Sequence, residues 1–131
     1  MQQESEIRRA LKNREFVLHY QPVYALKSRR IDGFEALIRW QHPARGLLPP
    51  AEFMEVAEQS GLSIPMGEWV LQTACKQAQA WNVATGRPLT IAVNLSPSQL
   101  ADKNLVRLVQ TSLHESGLDP CLLELELTET A

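Results

Sequence analysis

Residues 31–40 read Ile-Asp-Gly-Phe-Glu-Ala-Leu-Ile-Arg-Trp, and this stretch decides the fold. Its side chains alternate in character, which is the pattern of a β-strand with two different faces. One face is wholly apolar and consists of Phe34, Ala36, Ile38 and Trp40. The opposite face carries Glu35 and Arg39, a carboxylate suited to a metal ion and a guanidinium suited to a phosphate. The stretch therefore predicts a strand that is covered on one side and carries chemistry on the other.

Two later segments repeat this arrangement. Residues 90–95 (Thr-Ile-Ala-Val-Asn-Leu) alternate aliphatic side chains with small or polar ones, and residues 122–127 (Leu-Leu-Glu-Leu-Glu-Leu) separate leucines from glutamates. If helices cover the aliphatic faces, Glu35, Asn94 and Glu126 point into a common interior near the C-terminal ends of the strands. Barrels and open α/β folds place their functional sites at that end.

Composition and charge argue against several classes of function. A length of 131 residues indicates one domain, and a net charge of −2 with a pI near 5.9 argues against binding to nucleic acid or membrane surfaces. No apolar run approaches the roughly 20 residues of a membrane span, and no signal peptide opens the chain. Cys75 and Cys121 have no metal-binding or redox spacing, which is typical of a reducing compartment, so we expect a cytoplasmic location.

The order of elements predicts an α/β fold. The turn at residues 27–30 is too short for a parallel crossover, so we expect the first two strands to be antiparallel. The expected elements are a helix over 4–14, strands over 16–26 and 31–40, a loop over 46–50, helices over 51–60 and about 66–85, a strand over 90–95, a capping box at 96–99, a helix over 102–116 and a last strand over 122–127.

The spacing of side chains predicts which residues share a face in each long helix. In the 66–85 helix, we expect Trp69, Thr73, Ala80, Trp81 and Ala84 to lie near one face. In the 102–116 helix, we expect the inward face to consist of Leu105, Leu108, Val109, Ser112 and Leu113. Gly61 and Gly117 are expected to end the helices that precede them.

Further motifs follow one another along almost the whole chain. They are Tyr20-Gln21-Pro22, Gly33 to Trp40 with His42-Pro43, Pro50-Ala51-Glu52-Phe53, Ala57 to Leu62, Gly67 to Leu71, Val93-Asn94-Leu95-Ser96 with Gln99-Leu100, and Glu124 to Glu129. This ordered series resembles the first half of an EAL domain, the bacterial phosphodiesterase family that hydrolyses cyclic di-GMP. A bare Glu-Ala-Leu tripeptide carries no weight, but the whole series at this spacing is specific.

The resemblance implies the first half of a TIM-like (β/α)8 barrel with an antiparallel first strand. A complete barrel needs about 250 residues, so 131 residues are close to half of one. Residues 1–15 would form a linker helix from an upstream sensory or GGDEF module, and residues 16–131 would be the truncated N-terminal half of the domain. The family's Asp-Asp pair and its lysine base have no counterpart here, so no catalytic residue is assigned and we expect this chain alone to be inactive.

The resemblance also implies an activity, the hydrolysis of cyclic di-GMP to linear pGpG with Mg²⁺ or Mn²⁺. In this resemblance Glu35, Asn94 and Glu126 occupy metal-ligand positions. From the residues alone, the alternative is that these polar groups only hydrogen-bond one another. Hard cations prefer carboxylate and amide oxygens, and together with the resemblance this favours the ligand interpretation.

In the resemblance, Gln21 and the backbone of Leu37 lie where the family contacts the dinucleotide, and Pro49, Pro50 and Phe53 lie near a guanine pocket. Arg39 would bind a phosphate through its planar guanidinium, and its alternative is a salt bridge to Glu35 or another neighbour. For the other positions, the alternative is plain packing or turn chemistry. Glu129 matches a glutamate that anchors a loop in the family.

Two other functions stay open at this point. Some EAL domains bind cyclic di-GMP without cutting it, although such receptors usually lack ligand residues that are all present here. The chain could instead be a dimerisation or regulatory module that works through its helices. Half a barrel also leaves strand edges unpaired, and exposed edges recruit partners, so we expect a homodimer or a self-associating chain.

Overall fold

The computed structural model describes residues 2–127, which alternate between helices and strands. The elements are helix α1 (Gln2–Lys12), strands β1 (Phe16–Tyr24), β2 (Ile31–His42) and β3 (Gly46–Leu48), a 3-10 helix (Pro50–Glu52), helices α2 (Met54–Ser60) and α3 (Ser63–Thr85), strand β4 (Thr90–Leu95), helices α4 (Pro97–Ala101) and α5 (Leu105–Ser116), a second 3-10 helix (Pro120–Leu122) and strand β5 (Leu123–Leu127). Among the helices of residues 2–127, none has the length and apolar character needed to cross a membrane.

One mixed sheet holds the strands in the order β1-β2-β4-β5, and β3 pairs with β2. β1 and β2 are antiparallel, from Phe16 opposite Trp40 to Val23 opposite Gly33. β2, β4 and β5 run parallel to one another, because α3 and α5 carry the chain back between them. The predicted α/β fold with an antiparallel first strand is confirmed.

Helices cover one face of the sheet, which we call the outer face. Ala36 of β2 and Ile91 and Val93 of β4 are at most 3% exposed there, in one cluster with Leu71 and Ala74 of α3. Alternation along each strand sends every second side chain to this face. The aliphatic residues that the sequence pattern placed on one side therefore form the core.

A second cluster lies at the C-terminal end of β2 and is aromatic. The rings of Phe16, Trp40 and Phe53 pack against one another, with centroids 5.5 to 5.7 Å apart. Tilted and edge-to-face rings at this distance attract one another beyond the burial of their surface. Ile7 and Ala10 of α1 are fully buried in the same cluster, so α1 is part of this core. Its role as a linker from an upstream module stays a prediction.

Two expectations for residues 46–60 are wrong. Gly46–Leu48 is strand β3 rather than a loop, because its backbone pairs with the end of β2 from Trp40 to His42. The expected helix over 51–60 is split, since a 3-10 helix precedes α2 and Phe53 interrupts the helical path with φ −145°. Phe53 leaves that path because its side chain turns into the aromatic cluster, where it is 1% exposed.

Helix α3 begins at Ser63, before the expected start. Its buried residues are Ser63, Met66, Gly67, Leu71, Ala74, Cys75 and Ala78. Of the residues expected near one face, Ala80 and Ala84 are exposed, whereas Trp69 packs against the aromatic cluster. Trp81 also packs inward, with its ring centroid 4.9 Å from that of Tyr20 and 4.5 Å from that of Phe34. Small residues make up much of the buried face, and they give only a weak periodic signal.

Other expected features are confirmed. α5 packs its predicted face against the core: Leu105, Leu108, Val109, Ser112 and Leu113. Gly61 and Gly117 have φ values of 80° and 77°, and they end α2 and α5 in the left-handed conformation that suits glycine. β1 is shorter than expected and ends at Tyr24, beyond which Leu26 is 97% exposed.

Candidate functional site

The inner face of the sheet lies opposite the helices and carries the polar side chains of the strands. Glu35 of β2 lies beside Gln21 of β1 and beside Ala92 of β4. Asn94 of β4 lies beside Glu126 of β5. Paired residues of neighbouring strands point to the same face, and Asn94 follows Ala92 by two positions. Glu35, Asn94 and Glu126 therefore share the inner face, as the alternation in their strands predicts.

One direct contact joins two of these side chains. Asn94 Nδ2 donates a hydrogen bond of 2.9 Å to Glu35 Oε2, and both residues are half-buried. This is the contact expected if the polar groups bond one another. It leaves Asn94 Oδ1 and Glu35 Oε1 to face other partners, and oxygen atoms of this kind are what a hard cation uses. The two interpretations of these residues are therefore compatible in this geometry.

The donor set as a whole fits a hard divalent cation. Glu126 is exposed on the inner face beside Asn94, so the set contains two carboxylates and one carboxamide. Such all-oxygen sets suit Mg²⁺ or Mn²⁺ better than soft metals. Within residues 2–127, no cluster of three or more His, Cys, Asp or Glu is placed to hold a metal ion. Of the three predicted ligands, Glu35 and Asn94 contact each other directly, and Glu126 lies beside Asn94.

Arg39 lies on the inner face near the end of β2, opposite Val17 of β1. Its Nη1 donates a hydrogen bond of 2.8 Å to the carbonyl oxygen of Ile38, and the side chain is half-buried. Among the described residues, the ion pairs involve other side chains, so the alternative salt bridge to Glu35 is not found there. Because a neutral carbonyl holds only part of the guanidinium, several N–H donors remain for an anion.

The other predicted contact residues lie in β1, in β2 and just after β3. Gln21 is exposed in β1 beside Glu35, and Leu37 is half-buried two positions after Glu35 in β2. Pro50 begins the 3-10 helix that follows β3, which itself pairs with the end of β2. Glu129, the predicted loop anchor, lies outside the described residues.

The N-cap residue Ser96 and the first turn of α4, together called the 96–99 turn, directly follow β4 and its Asn94. Ser96 caps α4 by accepting a hydrogen bond from the backbone N–H of Gln99, and the Gln99 side chain accepts one from the backbone N–H of Ser96. The predicted capping box is therefore present. Glu58 of α2 has no role predicted from the sequence, yet its carboxylate accepts a hydrogen bond of 2.7 Å from the backbone N–H of Ser98. Forty positions separate the two residues, so no local pattern signals the contact.

A separate groove of about 400 Å³ lies between α1 and α3. Leu11, Phe16 and Trp69 line it together with Lys12 and Lys76. It contains none of the predicted site residues, so the chemistry of the inner face does not depend on it.

Comparisons with known proteins add to this geometry. The sequence model of the EAL domain matches residues 4–131. An uncharacterized signaling protein of Caulobacter vibrioides is 47% identical over 96% of this chain, and the cyclic di-GMP phosphodiesterase NbdA of Pseudomonas aeruginosa is 41% identical over all of it. The solved structure of the PaMucR phosphodiesterase in complex with c-di-GMP has a TM-score of 0.93 and 43% identity over 99% of this chain. This chain spans 15% and 17% of the lengths of the two relatives and 53% of the solved chain.

Proposed function

This chain belongs to the EAL domain family, and on that premise we propose that it forms part of a cyclic di-GMP phosphodiesterase domain. The reaction consumes one water and breaks one P–O bond of the cyclic dinucleotide, which gives linear pGpG. The observation that carries the proposal is the shared inner face of Glu35, Asn94 and Glu126, with the Asn94–Glu35 hydrogen bond of 2.9 Å. Arg39 lies on that face as a cation for the phosphate.

The metal requirement follows from the same residues. We propose that Glu35, Asn94 and Glu126 hold Mg²⁺ or Mn²⁺ through their side-chain oxygens. When bound, such cations supply an activated water and neutralise charge on phosphoryl oxygens. The Asn94–Glu35 hydrogen bond orients both side chains before a cation arrives, because the amide nitrogen can only donate and its oxygen is then free to bind.

The residues that would contact substrate act by binding and orientation. Arg39 would exchange part of its hydration for a phosphate oxygen, which a planar guanidinium binds well. Gln21 and Leu37 lie on the same face as Glu35, and we propose that Gln21, the backbone of Leu37 and Pro50 position the dinucleotide. The base is a lysine in the family resemblance, and these 131 residues do not supply it. We therefore propose that this chain alone releases no product.

Two related proteins support the substrate. NbdA is a cyclic di-GMP phosphodiesterase, and the solved structure of the PaMucR phosphodiesterase is a complex with c-di-GMP. This chain spans 17% of NbdA and 53% of the solved chain, so we propose the activity for the complete domain. A cytoplasmic location, an upstream sensory or GGDEF module and self-association also stay proposals.

The test uses the complete domain, meaning a polypeptide with this chain and the remaining segments of the EAL domain. We expect pGpG release with Mg²⁺ or Mn²⁺, and Glu35→Ala should lower turnover at least about a hundredfold, the scale of losing an electrostatic contact in the transition state. Chromatographic separation of cyclic di-GMP from pGpG measures this.

The matched control is Asp32→Ala, an exposed carboxylate in the same strand that is not among the proposed ligands. It should retain turnover within about twofold, since surface changes away from a site have small effects. Near wild-type turnover of Glu35→Ala at saturating metal would contradict the proposed function. Tight binding of cyclic di-GMP without any product would favour the receptor alternative instead.

A further inference from the structure

Glu58 lies in α2, yet its carboxylate reaches the 96–99 turn at the end of β4. Its Oε1 accepts the backbone N–H of Ser98 at 2.7 Å, and this contact joins two elements that are 40 positions apart. A charge-assisted hydrogen bond of this kind is about twice as strong as a neutral one. The contact therefore ties the turn to α2.

Several serine hydroxyls surround the same carboxylate. Burial tends to raise the pKa of Glu58, but hydrogen bonds from the neighbouring serines, above all Ser98, outweigh burial and hold the pKa below its ordinary value. Within residues 2–127, Glu58 Oε2 and Ser63 Oγ are buried without a partner of regular hydrogen-bond geometry. Rotation of the Ser63 hydroxyl would let it donate to Glu58, because a hydroxyl proton is free to turn. The site is thus built for an ionised carboxylate.

The Glu58 carboxylate also contacts the capping box formed by Ser96 and Gln99. Ser96 Oγ accepts the backbone N–H of Gln99 at 3.3 Å, so its own proton is free to point towards Glu58. Gln99 Oε1 in turn accepts the backbone N–H of Ser96 at 2.9 Å, and both residues are buried. Gly67 of α3 packs directly against the Gln99 side chain, because a Cβ at this position would overlap the Gln99 side-chain amide. The turn is held from α2 and from α3 at once.

The 96–99 turn is the direct continuation of the strand that carries Asn94. Ser96 follows Asn94 by two positions, and Leu95 between them is 2% exposed in the core. A shift of the turn therefore moves the end of β4 and changes where Asn94 meets Glu35. We propose that Glu58 is a positioning residue that acts through the 96–99 turn to set the place of Asn94. This inference rests on the proposed metal-binding function of Glu35, Asn94 and Glu126.

The experiment compares Mn²⁺ binding by complete-domain variants in calorimetry without nucleotide. Glu58→Gln keeps the size of the side chain but removes the charge, and its NH₂ group would face hydroxyl donors. We expect Mn²⁺ affinity to fall about tenfold, in the range for residues that orient metal ligands. Glu55→Gln is the matched control, because Glu55 is exposed in the same helix, and it should leave the affinity unchanged. Thermal unfolding of each variant is recorded alongside.

A purely structural role would lower the unfolding temperature of Glu58→Gln and leave Mn²⁺ affinity at the control value, and that result overturns the inference. Glu35→Gln separates this failure from that of the proposed function. If Glu35→Gln also binds Mn²⁺ normally, the metal site itself is wrong. If Glu35→Gln binds weakly and Glu58→Gln binds normally, only the positioning role fails.

Ser98→Ala covers the case in which Glu58→Gln does not fold. This variant removes the Ser98 hydroxyl that donates to the Glu58 carboxylate, but it keeps the backbone N–H contact. We therefore expect a milder loss of about threefold in Mn²⁺ affinity, less than for a residue that hydrogen-bonds a metal ligand directly. An unchanged affinity would then overturn the inference. A double variant of Glu58→Gln and Ser96→Ala should lose less Mn²⁺ affinity than the sum of the losses of the two single variants. Both substitutions act on the same turn, so their effects are not independent.

Discussion

The two faces of the sheet differ in burial and in polarity. On the outer face, Ala36, Ile91 and Val93 are sealed beneath helices. On the inner face, Glu35 and Asn94 are half-buried and joined by a hydrogen bond. Adjacent positions in β2 therefore have different environments: Ala36 is buried in the core, and Glu35 lies on the polar inner face. A slip of one residue in register would exchange the two sets, so the register of β2 against β4 is under strong constraint.

The contrast between the faces changes along the sheet. The outer face is sealed at β4, but on β5 Leu125 is 39% exposed and Leu127 is 63% exposed. α3 and α5 cover the centre of the sheet, and in the described part of the chain nothing covers the end of β5 to the same degree. The two faces are thus most distinct at β2 and β4, where Glu35 and Asn94 lie.

The largest expected effect belongs to the outer face. Trp40→Ala in the complete domain should lower the free energy of unfolding by about 3–5 kcal/mol, the range for removing a buried large aromatic side chain. Trp40 is 1% exposed, packs on Phe16 and Phe53, and donates its indole N–H to Glu15 at 3.0 Å. Urea denaturation followed by circular dichroism measures the loss.

Glu35→Gln is the opposite-face control for that experiment. The variant keeps the volume of the side chain and an oxygen that accepts a hydrogen bond from Asn94. We therefore expect the free energy of unfolding to change by less than about 1 kcal/mol. If Glu35→Gln lowered the free energy of unfolding by more than about 2 kcal/mol, or Trp40→Ala lowered it by less than about 1 kcal/mol, the two faces would not differ in their contribution to stability.

A smaller effect concerns the two thiols. Cys75 of α3 is fully buried against the outer face, and burial raises the pKa of its thiol to about 11. The thiolate is the reactive form, so at pH 8 only about 0.1% of Cys75 is reactive even where reagent can reach it. We expect Cys121, which is exposed, to react with a disulfide reagent at least about a hundredfold faster.

Raising the pH towards 11 should increase the reactivity of Cys75, because the fraction of thiolate grows until the pKa is reached. Absorbance of the released thiol gives both rates, and denatured protein serves as the reference in which both cysteines react. Equal rates in the native state would show that α3 does not seal the outer face.

Much of this architecture could be predicted because alternation is a local property. The pattern in β2, β4 and β5 placed Glu35, Asn94 and Glu126 on one face without any knowledge of the fold. The capping box at Ser96 and the glycine stop at Gly117 are also local, and both are confirmed.

Features that depend on distant contacts could not be predicted. Strand β3 forms because it pairs with the end of β2. Phe53 interrupts the helix expected over 51–60 because its ring packs against Phe16 and Trp40. The buried face of α3 relies on Gly67 and other small residues, which carry little periodic signal. The Glu58 contact with the 96–99 turn joins residues 40 positions apart, and no spacing in the sequence encodes it.

The most direct test of a metal site on the inner face is anomalous diffraction from crystals of the complete domain soaked with Mn²⁺. We expect a manganese peak with carboxylate or amide oxygens of Glu35, Asn94 and Glu126 at about 2.1 Å, the distance typical of a small hard cation. Glu35→Ala crystals should lose or weaken that peak. Manganese bound elsewhere, with none of these three side chains as a ligand, would rule out the proposed metal site.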